Sequence, residues 1–271
     1  MKKMLFTAAM MAVATSGLGA QTVIYSRVPA TLLPSYPSIG FEATSTKELG
    51  DFITFGAGPR NLQSATVTMN NWAFFSTYRT DVNWNGNTAF FSLPLTMNLY
   101  NVGAGNAVGS LLATRTITAN IAWRPEPTPS CGGTAWLAPN GTCYNGLAQN
   151  VTFDFSGTVV PDNIIFGISY NTATHGYQPT GISGPYNSLN VAVTTSAASV
   201  GADGGPAGSN YRNTSPNFLG NNEFAPNTFS GAFSPMVEFV ATTSRVPEPS
   251  SALLLVAGAA GLLFLQRRRN A

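Results

Sequence analysis

Catalysis by nucleophile or metal needs particular side chains, and this chain is poor in them. Its one histidine, His175, sits in the run Asn-Thr-Ala-Thr-His-Gly-Tyr at 171–177. A Ser-His-Asp triad needs a base, and His175 would be the sole candidate. No G-x-S-x-G elbow accompanies it, so it reads as a loop histidine beside a glycine. A zinc site would need several His or Cys ligands, and Cys131 and Cys143 are the only cysteines. Carboxylates are more plentiful. Glu42, Glu48, Asp51, Asp154 and Asp162 are candidates for the acid and base of glycoside hydrolysis, although nothing in their spacing brings two together. Their simpler reading is solvated turn or strand-face positions. Asp162-Asn163 and Asp203-Gly204 offer oxygen ligands of the kind calcium takes, without EF-hand spacing. No cofactor is otherwise implied.

The two cysteines lie in a Pro/Gly-rich stretch, 125–146, that reads as an excursion between strands. In an oxidising compartment they should pair. The short loop they close would be worth about 3 kcal/mol in the chain-entropy model. Four tryptophans are candidates for stacking on sugar rings. Trp84 lies in the loop-like Asn-Trp-Asn-Gly at 83–86 and Trp136 inside the cysteine loop, so these two are the candidate glycan contacts. Trp72 and Trp123 read more readily as core, where most tryptophans are found.

The elements that must position these residues follow a period of two. Apolar and polar residues alternate at 65–70, 95–100 and 151–155, the mark of strands with one face buried. Residues 189–193 and 236–240 extend the set. The run 164–170 is almost continuously apolar and predicts a strand buried on both faces. Asn, Gly and Pro clusters at 83–87, 103–106 and 139–141 separate these segments. No stretch reads as a long amphipathic helix and no fixed-period repeat is present. The expectation is an all-β domain, an antiparallel β-sandwich of jelly-roll-like form. Residues 201–226, rich in Gly, Asn and Pro, are expected to form a long surface loop with little regular structure.

Composition agrees with an extracellular β-rich domain. Charged residues make up 9% of the 271, while 44% are hydrophobic and 11% aromatic, which excludes a disordered chain. The formal charge of +2 comes from the ends. Removing Lys2, Lys3, Arg267, Arg268 and Arg269 from the thirteen basic residues leaves eight, and removing Glu248 from the eleven acidic ones leaves ten. Residues 21–245 are therefore near −2 and carry no basic stripe, so nucleic acid is not an expected partner.

Both ends read as targeting segments. Met1-Lys2-Lys3, an apolar run at 4–13 and a small-residue stretch ending at Ala20 have the order of a secretory signal peptide, assigned to residues 1–20. At the other end, Val246-Pro247-Glu248-Pro249 precedes sixteen uncharged residues, 250–265, and then Arg267-Arg268-Arg269. As a helix the uncharged stretch would be ~24 Å long, enough to span a bilayer with help from its flanks. The arginines would hold the C-terminus in the cytoplasm. This tripartite tail, 246–271, closely resembles the PEP-CTERM sorting signal, whose signature tripeptide matches Pro247-Glu248-Pro249. The resemblance implies that an exosortase-type enzyme processes the tail. It also implies an inner-membrane anchor before processing, and then the cell surface or extracellular matrix of a Gram-negative bacterium. In that case the four residues 246–249 are sorting residues. Separately, 171–172 through 184–191 is similar to stretches of uncharacterised secreted β-rich proteins, a resemblance that brings no activity.

Three functions compete on these grounds. The first is a non-catalytic structural or adhesion protein of biofilm or exopolysaccharide. The second is a carbohydrate-binding module that contacts extracellular polysaccharide, and the third a carboxylate-based glycoside hydrolase.

Overall fold

The computed structural model describes residues 20–41, 44, 46–79, 86–170, 188–205, 210–214, 224–227 and 233–243. The chain is all-β. In order it forms β1 (Gln21–Ser26), β2 (Ser38–Gly40), β3 (Thr46–Thr54) and β4 (Asn61–Asn71), then a one-turn helix α1 (Phe75–Tyr78). The long β5 (Phe90–Val102) and β6 (Val108–Ala122) follow, then the short β7 (Trp136–Leu137) and β8 (Cys143–Tyr144). Next come β9 (Leu147–Val159), β10 (Asn163–Ser169), β11 (Leu189–Thr194), β12 (Ala202–Asp203) and β13 (Asn210–Thr214). The last are β14 (Ala225–Asn227), β15 (Ser234–Pro235) and β16 (Val237–Thr242). Gln21–Thr242 is a compact unit by itself.

The strands make two antiparallel seven-stranded sheets. In the first, β4 is bonded along both edges. β9 pairs with its whole length on one side, while β16 and then β11 share the other. The chain changes partner at Met236. Its N–H donates to Ala192 O on β11 at 2.9 Å, and its carbonyl accepts from Thr68 N on β4 at 2.9 Å. β1 flanks β16, and β2 and β15 flank β11. The second sheet runs β14, β13, β3, β10, β5, β6, with β12 also on β3.

Period-two alternation turns one face of each sheet into a shared core. On β9, Val151, Phe153 and Phe155 are buried while Thr152 and Asp154 are exposed. On β5, Leu93, Leu95, Met97 and Leu99 are buried. β10 is the strand whose apolar run predicted burial on both faces, and Ile164 through Ile168 are all buried. Ile164, Phe166 and Ile168 join the main core, while Ile165 packs with Phe52 and Tyr211 on the far side of its sheet. Phe239 of β16 lies at the centre. Its ring meets Phe166 of the other sheet at 5.8 Å, Phe55 at 5.5 Å and Tyr25 at 6.4 Å, each edge to face. Aromatic pairs prefer that arrangement because the ring edge is positive and the face negative.

Exposed strand edges invite pairing with other chains, and here side chains and loops bond to the edges of β1, β6 and β9. Gln149 of β9 accepts from Ala122 N at 2.8 Å and donates to Asn120 O at 3.1 Å, satisfying the edge of β6. Arg115 of β6 donates to Asp154 O at 2.9 Å in return. On the opposite side, Ser26 N reaches Val200 O at 3.0 Å and Gly56 N reaches Ile24 O at 2.7 Å, covering β1.

The expectation of a long loop with little regular structure over 201–226 is corrected: β12 and β13 fall inside it and β14 begins in it. β13 pairs with residues 46–50 of β3 and buries Tyr211 and Arg212. The edge of β3 supplies hydrogen-bond partners that the local composition does not advertise. Among the described residues, no helix is long and apolar enough to cross a membrane. Residues 1–19 and 244–271, with the expected signal peptide and C-terminal helix, lie outside the described residues.

Phe239→Ala should lower unfolding stability by about 3–5 kcal/mol, because the ring is fully buried between the sheets and leaves a cavity. Phe239→Leu should cost about 1.5 kcal/mol or less. Urea-induced unfolding of both variants measures the difference.

Candidate functional site

The charged residues that the fold brings together lie where β1 leaves the first sheet. On β3, Leu49 and Ile53 enter the main core while Phe52 packs on the opposite face. Asp51 therefore points inward between the sheets, where it is 2% exposed. Asp203 of β12 is the cross-strand partner of Ile53 and shares that inner face. Arg27, just past the end of β1, reaches into the gap. Its Nε donates to Tyr25 Oη at 2.9 Å, one terminal nitrogen forms an ion pair with Asp203, and the other donates to Ser196 O. Tyr25 Oη in turn donates to Asp203 Oδ1 at 3.3 Å. The guanidinium is thus neutralised and each of its nitrogens has a partner.

Asp51 is the odd member of this group. Oδ1 accepts from Phe52 N at 2.8 Å, while Oδ2 is buried with no hydrogen-bond partner among the described residues. Burial pushes its carboxyl up to about 7, and the negative Asp203 nearby pushes the same way. The Ser234 side chain, the Phe52 N–H and Arg27 offset part of that rise. Burial likewise drives the Tyr25 hydroxyl well above its ordinary value.

Beyond Arg27 lies a cavity of about 460 Å³. Leu33, Pro29 and Met236 give it apolar wall, and Thr194, Ser196 and Tyr36 give it hydroxyls. Met236 is there because the chain changes sheet partner at that residue.

On the outer face of the second sheet, Glu48 accepts from Asn98 Nδ2 at 2.9 Å and Tyr100 Oη at 3.0 Å, both at Oε1. The carboxylate lies over Gly167, where a Cβ would come within 2.0 Å of Oε1. Burial raises its proton affinity, and the two hydrogen bonds work against that rise.

The remaining sequence candidates divide cleanly. Cys131 and Cys143 form a disulfide with Cα atoms 5.6 Å apart, closing the small β7–β8 hairpin. Trp136, expected to offer its ring to a sugar, is instead 6% exposed and donates its indole N–H to Gly146 O at 2.9 Å. At that exposure the ring is not presented to solvent, and Tyr144 of β8 lies beside it with ring centroids 6.0 Å apart. Trp72, read as core, is instead 42% exposed, with its backbone carbonyl held by Arg124 Nε at 2.7 Å. Trp123 is buried. Trp84, His175, Glu42, the sorting residues Val246, Pro247, Glu248 and Pro249, and Arg267, Arg268 and Arg269 lie outside the described residues.

The carboxylates do not assemble as a hydrolase pair on β3. Glu48 and Asp51 are three positions apart on one strand, and an odd offset puts them on opposite faces. Asp162 is paired with Arg60 at 2.8 Å. Asp154 is fully exposed, and hydrogen bonds from Ser156 hold its carboxyl below its ordinary value. Asp203, one of the loop oxygens considered for calcium, is occupied by Arg27. Among the described residues no group of three or more His, Cys, Asp or Glu side chains could hold a metal ion. A scan against family models finds no match, and searches of curated proteins and of solved structures find none either.

Asp51 gives the fold a pH dependence of predictable sign. Its folded-state value, about 7, is above the ordinary 3.8, so the native state holds the proton more tightly than the unfolded chain. The stabilisation is complete below about pH 4 and is lost as pH rises through about 7. Asp51→Asn should flatten that slope and raise stability at pH 8 by on the order of 1–3 kcal/mol. Thermal unfolding of both forms from pH 4 to 8 measures it, and parallel curves would remove Asp51 as the cause.

Proposed function

We propose that this chain is an exported, non-catalytic surface or matrix protein, with a structural or adhesive role in biofilm or exopolysaccharide. The observation that carries the reading is the Cys131–Cys143 disulfide in a chain whose two ends read as export and sorting segments. Disulfides persist in oxidising compartments and are rare in the cytosol. The tail at 246–271, similar to a PEP-CTERM signal, makes an exosortase-type enzyme the processing partner. It anchors the precursor in the inner membrane before release to the cell surface or matrix.

Support comes also from the working domain. Its sheets pack into a sandwich-like body with its main core between them and the β1, β6 and β9 edges bonded, as suits a protein that stays folded and unaggregated outside the cell. The outer faces carry uncharged cross-strand pairs. Thr66 and Thr152 meet at 2.8 Å, as do Thr96 and Thr116, and Thr114 donates to Asn98 at 2.8 Å. Such pairs offer neutral hydroxyls and amides on faces that also carry the carboxylates of Asp154 and Glu48. The hydrolase reading loses its pair on β3, where Glu48 and Asp51 face apart.

Intact mass spectrometry of the protein from its native host, with membranes and matrix analysed separately, tests the proposal. The expected matrix form begins near Gln21, ends near Val246 and is about 2 Da light for one disulfide. A protein found only in membranes and still carrying Arg267, Arg268 and Arg269 would overturn release to the matrix.

A further inference from the structure

The cavity beside Arg27 has a chemistry that selects its ligand. About 460 Å³ falls in the lower part of the range of small-molecule sites. Arg27 is its one charged lining residue, and that charge is already spent. All three guanidinium nitrogens have partners, and Asp203 supplies the counter-charge. An anion would have to displace Asp203, and a cation would face a buried guanidinium. Neither sign of ligand is favoured.

What the cavity does offer is a set of hydroxyls with unused capacity. Tyr36 Oη accepts from Leu33 N at 2.8 Å and keeps its proton to donate. Thr194 Oγ1 accepts from Ser196 N at 3.1 Å and likewise keeps a donor. Ser199 Oγ donates to Ser26 O at 3.1 Å and keeps acceptor lone pairs. A hydroxyl is one donor and two acceptor sites, so this lining presents both kinds at once. Leu33, 52% exposed, and Pro29 supply apolar wall, and the Tyr36 ring is half-buried beside them. Mixed donors and acceptors, an aromatic ring and apolar patches without net charge match a polyhydroxylated ring, which has C–H faces and hydroxyl edges. A purely apolar ligand would strand the hydroxyls, and unmet buried polar groups are costly.

We infer that this cavity binds a neutral saccharide unit, with Tyr36 and Thr194 donating to its hydroxyls and the exposed Leu33 and Pro29 covering a C–H face. The inference rests on the reading of the protein as matrix-facing and names the site of that contact. The site is independent of the tryptophans.

The test is calorimetric titration of the full chain, in mild detergent, with cellobiose, maltose and lactose, and with glucuronate as an anionic counterpart. At least one neutral disaccharide should bind, with glucuronate at least tenfold weaker. Tyr36→Ala should weaken binding at least tenfold, and Tyr36→Phe, which keeps the ring, by less. Ala197→Trp puts a large ring at an exposed position on the cavity wall. It should abolish binding without changing the melting temperature, and it carries the test should Tyr36→Ala fail to fold. A cooperatively folding protein that binds none of the three disaccharides overturns the inference. So does binding that prefers glucuronate, or binding that Ala197→Trp leaves unchanged. Fractionation of the host separates the two ideas. A protein that reaches the matrix yet binds none of the sugars leaves the matrix reading standing and removes the cavity. A protein that never leaves the inner membrane removes the matrix reading, while the titration still decides the cavity.

Discussion

The inter-sheet face, with Phe239 at its centre, is the constraint on which the rest of the molecule depends. Each sheet is amphipathic only because its strands alternate, and each can bury its apolar side only against the other. Phe239 stands on β16, which reaches its place because the chain hands over from β11 to β4 at Met236. That handover lets one continuous segment, 234–242, bond to two different strands while keeping Val237, Phe239 and Ala241 on the inner face. It also leaves Met236 as part of the wall of the cavity beside Arg27. The packing of the core and the shape of the candidate site thus share one local event in the backbone.

Polar groups at the margins of this core are handled in two ways. Where a buried charge has a partner, as Arg27 has Asp203, it ties distant parts of the chain together at modest net gain, since desolvation offsets much of the attraction. Where the partner is incomplete, as at Asp51, burial shifts the proton equilibrium instead. The two cases are neighbours. Arg27 lowers the proton affinity of Asp51 while Asp203 raises it, so the ion pair's two ends act on that carboxyl in opposite directions. Glu48, on the opposite face of the same strand, is served by Asn98 and Tyr100 and uses the space above Gly167.

Much of the fold was legible in the chain itself. The alternation at 151–155 and 95–100 is local, and the structure buries its apolar members, Val151, Phe153, Phe155, Leu95, Met97 and Leu99. The apolar run at 164–170 announced a strand buried on both sides. Two misreadings have a common cause. Residues 201–226 look like loop by composition, yet β13 exists because β3 presents an open edge 160 or so positions earlier in the sequence. Trp136 and Trp72 were ranked by their neighbours in sequence, whereas ring exposure depends on what folds over them.

By itself, the sequence determined the all-β class, the strands with strict alternation and the pairing of the only two cysteines, because each is a local property or a matter of count. Only the tertiary structure decided which charges meet. Arg27 and Asp203 are 176 positions apart, and Asp51 joins them because β3 and β12 pair in a register that puts the buried Asp51 and the more exposed Asp203 on the same face. The same holds for the cavity, whose lining comes from segments near residues 30, 195 and 236. No pattern in the chain marks such long-range neighbours, since they are fixed by how whole sheets bury their apolar faces.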